Sequence, residues 1–177
     1  MKKQTIKKLF ASSILMAAAF IAFGYTTVYA QDDADCASKA CRKALAAARA
    51  ATAQYHDYQT ALADGYVPTG PCVALPNGWA MGFHHTKFSL VDFNVAETAP
   101  EVLIYLPDED GEMQLVALEY LVPFTGSNPA PSLYGGRVFE GPNTVPFPSY
   151  ALHVWAWRNN PLGMFADFNP KLTCPES

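Results

Sequence analysis

Two histidines and a glutamate sit where a β core would otherwise hold apolar side chains. His84 and its neighbour His85 fall in Met81-Gly82-Phe83-His84-His85-Thr86. Glu119 lies in Leu115-Val116-Ala117-Leu118-Glu119-Tyr120, and His153 in Leu152-His153-Val154-Trp155-Ala156-Trp157. A carboxyl group in an apolar strand must be paired, protonated or bound to a cation, because burying it bare and ionised is costly. Two imidazoles and one carboxylate from three strands make a donor set for a divalent or transition metal ion (zinc, copper, iron or manganese). Such a set leaves coordination positions open to water or a small-molecule substrate. Strand alternation sends His84 and His85 to opposite faces, so one face uses only one of them, with His85 as the substitute for His84. Tyr105 and Tyr120 are candidates for hydrogen bonding behind the ligands.

The bland alternative is a closed polar network in the core, with Glu119 paired to Arg137 or Arg158. The chain has only four histidines, which raises the weight of finding three of them in apolar strands. Other reaction classes find less support. There is no GxSxG nucleophile turn, no phosphate-binding P-loop, no dinucleotide glycine fingerprint and no CxxCH haem motif. Asp92, Glu97, Glu101 and Glu119 could supply paired carboxylates, but no pair stands out. The residues therefore name no reaction. The competing function is a non-catalytic ligand-binding or structural protein, with Trp79, Trp155, Trp157 and the many Phe and Tyr residues in a core or around a ligand.

The elements that must position these residues follow from periodicity. Residues 37–64 predict one long helix, since Cys41, Leu45, Ala48, Tyr55, Tyr58 and Leu62 recur at helical steps and Asp64-Gly65 with Pro68 supplies a stop. His56 and Asp57 fall on its solvated face. Beyond it the period changes to two, and Gly78–Phe88, Glu101–Leu106, Gln114–Val122 and Tyr150–Trp157 predict strands. Pro107-Asp108-Glu109-Asp110-Gly111-Glu112 predicts a hairpin turn. Glu119-Tyr120-Leu121-Val122, apolar on both sides of the pleat, predicts a central strand. Residues 123–149 hold six prolines and four glycines, which argues against any regular element there. Phe124, Tyr134, Phe139 and Phe147 mark that segment as an ordered loop and a candidate lid across one end of the sheet. An irregular wrap follows over 158–177. The expected fold is α+β: the helix packed on an antiparallel sheet, curved toward a barrel.

Residues 1–30 have the layout of a secretory signal peptide. Four lysines precede an apolar run from Leu9 to Gly24, and Val28-Tyr29-Ala30 offers small residues for cleavage. A membrane anchor is the rival reading, but the acidic QDDAD that follows favours cleavage after Ala30 and no stable anchor thereafter. The remainder, 31–177, is long enough for a single domain with a real core. All 16 acidic residues lie after Ala30 but only 8 of the 12 basic ones, so its net charge is −8. An acidic chain without a basic cluster does not suit a nucleic-acid backbone. Periplasm or medium is the expected compartment.

Four cysteines follow the signal, and an even count in an exported chain predicts two disulfides with three connectivities open. Cys36 and Cys41, if both were helical, would stand ~7.5 Å apart along the axis and about 140° around it, beyond bridging range. Their pairing needs Cys36 outside the first turn. Cys72 and Cys174 would then tie the start of the β region to the C-terminus. The CxxC spacings of a thiolate metal site are absent.

A string of motifs runs through the same residues. Ala63-Asp64-Gly65-Tyr66, Cys72, Met81-Gly82-Phe83-His84, Pro100–Tyr105 (PEVLIY), Leu115–Pro123 (LVALEYLVP), Leu152–Trp157 (LHVWAW) and Asn160–Cys174 follow in that order. The string resembles that of a group of exported bacterial proteins, itself without an established function, over roughly residues 52–174. In that group the position of His84 is histidine and that of His85 often tyrosine, which implies His84, Glu119 and His153 as the set. A fainter likeness, on His84-His85, Leu115–Tyr120 and His153, is to plant oil-body-associated proteins. Neither resemblance implies a reaction.

Overall fold

A computed structural model describes residues 35–144 and 147–175. The signal segment lies outside these residues. Helix α1 spans Lys39–Thr52 and starts at Ser38, whose hydroxyl accepts a hydrogen bond from the Cys41 amide at 3.0 Å. Cys41, Leu45, Ala48 and Thr52 form its buried stripe. The single helix expected over 37–64 is not what forms. After a 3-10 turn, Ala53–His56, the chain is extended at Asp57, and a short α2 covers Tyr58–Ala63. The break has a local cause: the Asp57 carboxylate accepts from the Gln59 and Thr60 amides and from the Thr60 hydroxyl, capping a new helix. Gly65, at φ 94°, ends α2 where expected.

Among the described residues nine strands follow: β1 Val67–Pro68, β2 Val73–Ala74, β3 Ala80–Thr86, β4 Val102–Pro107, β5 Met113–Pro123, β6 Ser132–Leu133, β7 Arg137–Val138, β8 Glu140–Asn143 and β9 Ser149–Val154. The main sheet is antiparallel in the order β1-β3-β4-β5-β9-β8, with β2 also on β3, and β6-β7 form a separate hairpin. The four expected strands and the turn between β4 and β5 form, and β5 is central. The sheet does not curve into a barrel. Its edges end in Pro68 on β1 and Pro142 on β8, residues without an amide hydrogen to extend the ladder. Segment 123–149, expected to hold no regular element, contributes β6, β7, β8 and the start of β9.

Both faces of the sheet are covered. On one, Leu103, Tyr105, Leu115, Leu118, Tyr120, Leu152 and Val154 pack against Leu45, Ala48 and Tyr55 of the helical segment. On the other, Val102, Ile104, Val116, Ala117, Leu121 and Trp155 meet Cys72, Phe147, Leu172 and Cys174. The C-terminal wrap is held there by backbone bonds from Ala80 to Leu172 and from Asn169 to Ala80, and by the Trp155 indole donating to the Ala166 carbonyl. The disulfides are Cys36–Cys41 and Cys72–Cys174, with Cα atoms 5.3 and 5.8 Å apart. Both lie in the range that a bridge requires, and such bridges persist in oxidising compartments. Among the described residues no helix is long and apolar enough to cross a membrane.

One irregularity decides which face carries the site. Ile104 pairs with Ala117 but Tyr105 with Leu115, leaving Val116 as an extra residue on β5. Strict alternation from Leu115 would put Glu119 on the helix face. The bulge reverses the parity, so Leu115, Leu118 and Tyr120 face the helices while Ala117, Glu119 and Leu121 face the wrap.

Candidate functional site

Glu119 stands opposite Val102 of β4 on one side and His153 of β9 on the other, and Val102 stands opposite Thr86 of β3. One row therefore crosses four strands as Thr86, Val102, Glu119 and His153. Directly opposed residues hold their Cβ atoms ~5 Å apart, so register alone sets His153 beside Glu119. His84 belongs to the next row, opposite Ile104, and reaches over β4 so that its Nε2 lies 3.6 Å from Glu119 Oε2. The three residues named from sequence thus share one face of the sheet, and Glu119 is met by His84 instead of by Arg137 or Arg158. The Arg137 guanidinium lies 4.6 Å over the Phe165 ring.

The local backbone fixes His84. Gly82, two residues earlier, has φ 123°, and a Cβ there would stand 2.7 Å from Ile104 Cγ2 and 2.9 Å from the Tyr105 carbonyl oxygen. Only glycine permits that approach of β3 to β4. The Gly82 backbone also hydrogen-bonds the His84 imidazole, while Nε2 faces Glu119. A ring nitrogen held by a backbone carbonyl orients the other one, which is how metal-binding histidines are commonly fixed.

Burial dominates the electrostatics. It pushes the Glu119 carboxyl up to about 8, with the nearby Asp167 and Glu101 carboxylates adding to the shift. The same burial holds His84 down to about 4 and, with the neighbouring His84, holds His153 down to about 3. At neutral pH the protein without a bound cation therefore presents a carboxylic acid between two neutral imidazoles. His153 is 2% exposed, and both of its ring nitrogens are buried without a hydrogen-bond partner. Its ring leans on Trp155, with centroids 4.8 Å apart. A buried imidazole with two unmet nitrogens costs roughly 1–3 kcal/mol for each unmet polar group.

Above His84 and Glu119 opens a cavity of about 620 Å³, walled by Thr69–Pro71 on one side and by Glu140, Asn143 and Thr144 on the other, with Asp167 from the wrap. The proline-rich segment therefore supplies one wall. Its aromatic residues Phe124, Tyr134 and Phe139 pack on the helix face instead.

Other residues named from sequence lie elsewhere. His85 is on the helix face, where its Nε2 is 2.8 Å from the Tyr58 hydroxyl. Tyr105 and Tyr120 share that face, so neither stands behind the ligands. The Tyr105 hydroxyl donates to the Tyr55 carbonyl, and the Tyr120 hydroxyl meets the Glu97 carbonyl and the Tyr134 hydroxyl. Asp167 and Glu140 were missed as site residues. Glu140 opens the short strand β8 and Asp167 lies in the C-terminal wrap, and no periodicity encodes the position of either. Among the described residues, no three His, Cys, Asp or Glu side chains are gathered closely enough to hold a metal ion as they stand. Compared with known proteins, the chain matches no family profile, no curated protein and no solved structure.

Proposed function

We propose that this is an exported protein that binds a divalent or transition metal ion through His84, Glu119 and His153, and offers the open coordination positions to a small molecule in the cavity above. The observation that carries the reading is His153: two unmet ring nitrogens, fully buried, directly opposite the Glu119 carboxyl, whose side chain is only 14% exposed. A cation answers all three costs together. It takes the lone pairs of imidazoles that are already neutral, and it favours the ionised carboxylate that burial opposes. Export is supported by the signal-like layout of residues 1–30 and by the two disulfides.

A second reading is an organic-ligand pocket with no metal, favoured by the cavity volume, which falls in the range of small-molecule sites. Elemental analysis of the mature protein from its export compartment separates the two, beside a His84→Ala/His153→Ala variant checked for folding by circular dichroism. Near-stoichiometric metal in the wild type and none in the variant is the expected result. No metal in either, even after reconstitution with zinc, copper, iron and manganese, would leave the organic pocket.

A further inference from the structure

The charges around the cavity are all of one sign. Three carboxyl groups line it, Glu119 at the floor and Glu140 and Asp167 toward the mouth. None of the described lining residues is Lys or Arg. Structural carboxylates are commonly answered by a basic neighbour, and here none of the lining residues supplies one. The remaining walls are mixed. Val73, Met81, Val102 and Leu121 offer apolar surface, and Thr69 and Asn143 offer hydrogen bonds.

We propose that this cavity binds a small organic cation, a protonated amine on an apolar body, with the ammonium held between Glu140 and Asp167 and the body laid over Val73, Val102 and Leu121 toward the His84/Glu119 floor. An ammonium supplies the charge that the mouth lacks and three donors for its carboxylate oxygens. Asp167 and Glu140 are both exposed and close enough to repel each other, a cost that a bound cation relieves. In the metal-free protein an anion would meet three carboxyl groups and no basic side chain. The assignment rests on the cavity being a functional site but not on the metal, since Glu140 and Asp167 are not among the proposed ligands.

Three probes of one shape isolate the charge: benzylamine, benzyl alcohol and benzoate, titrated into metal-free protein at neutral pH and low salt, with dissociation constants read by NMR. Benzylamine is expected to bind roughly five- to tenfold more tightly than benzyl alcohol, the scale of one or two partly screened ion pairs, with benzoate weakest. A Glu140→Gln/Asp167→Asn variant is expected to lose the amine preference while keeping the wild-type metal content. The proposal is overturned if benzoate binds as well as the amine, if no probe binds, or if the preference survives in that variant. Metal content, measured on the same preparations, reports on the metal reading separately.

Discussion

His153 lowers the stability of the protein that carries it. An apolar side chain of similar volume would pack against Trp155 without leaving two ring nitrogens unmet. His153→Leu is therefore expected to leave the metal-free protein as stable as the wild type, or more stable by about 1 kcal/mol, while abolishing metal binding. Thermal unfolding in the presence of a chelator measures the first effect and elemental analysis the second. A marked destabilisation would mean that the imidazole has a structural partner and no vacancy for a metal. The candidate residues were legible because their types are out of place in apolar strands; the two-residue period limits a face to one of His84 and His85, and the bulge in β5 puts Glu119 on the face of His84. The roles expected for Tyr105 and Tyr120 failed on the same geometry: Tyr120 follows Glu119 directly, so alternation alone turns it away.

Strands and their irregularities set the geometry that those residues inherit. Gly82→Ala places a methyl group against Ile104 and the Tyr105 carbonyl in a backbone conformation that alanine avoids. The expected loss is roughly 1–3 kcal/mol in denaturant unfolding, together with weaker metal binding because His84 is displaced. Glu101, the residue before β4, prolongs the pairing of that strand with β5, its carboxyl oxygen accepting from the Leu121 amide at 3.0 Å. Burial pushes that carboxyl from 4.5 up to about 7. Below pH 4.5 both folded and unfolded chains hold the proton. Between 4.5 and about 7 only the unfolded chain releases it, so this group subtracts stability as the pH rises through that window. Glu101→Gln should flatten that part of the profile, widening its advantage over the wild type from pH 4.5 to 7 in urea midpoints. An unchanged slope would show that Glu101 ionises normally. The main strands were readable because their apolar runs are long and bounded by turn residues. The two-residue strands were not, since they exist only as partners of a neighbour. The helix break at Asp57 was hidden because the apolar period continues through it while a side-chain cap ends the backbone pattern.

At the scale of the whole molecule, two bridges close loops of very different length. The sequence separations are 5 for Cys36–Cys41 and 102 for Cys72–Cys174. The chain-entropy model assigns the long loop ~4.7 kcal/mol and the short one ~2 kcal/mol, so Cys72→Ser/Cys174→Ser should lower the melting temperature much more than Cys36→Ser/Cys41→Ser. Cys72 also lies between Pro71 and Val73 in the cavity wall, so amine binding should weaken with the long bridge and survive loss of the short one. Equal effects would contradict both expectations. The separation that gives the long bridge its strength also orders events in a growing chain. A ribosome delivers Cys36 and Cys41 five residues apart, but Cys72 must wait while β3 to β9 emerge, until Cys174 arrives. During that interval Cys72 lacks its partner, and a thiol without its partner is open to exchange with other disulfides. The site waits for the same final stretch, because His153 sits on the last strand. A chain truncated before β9 would carry both an unfinished floor and a thiol with no proper partner, which makes C-terminal integrity a condition of oxidative maturation and site assembly alike.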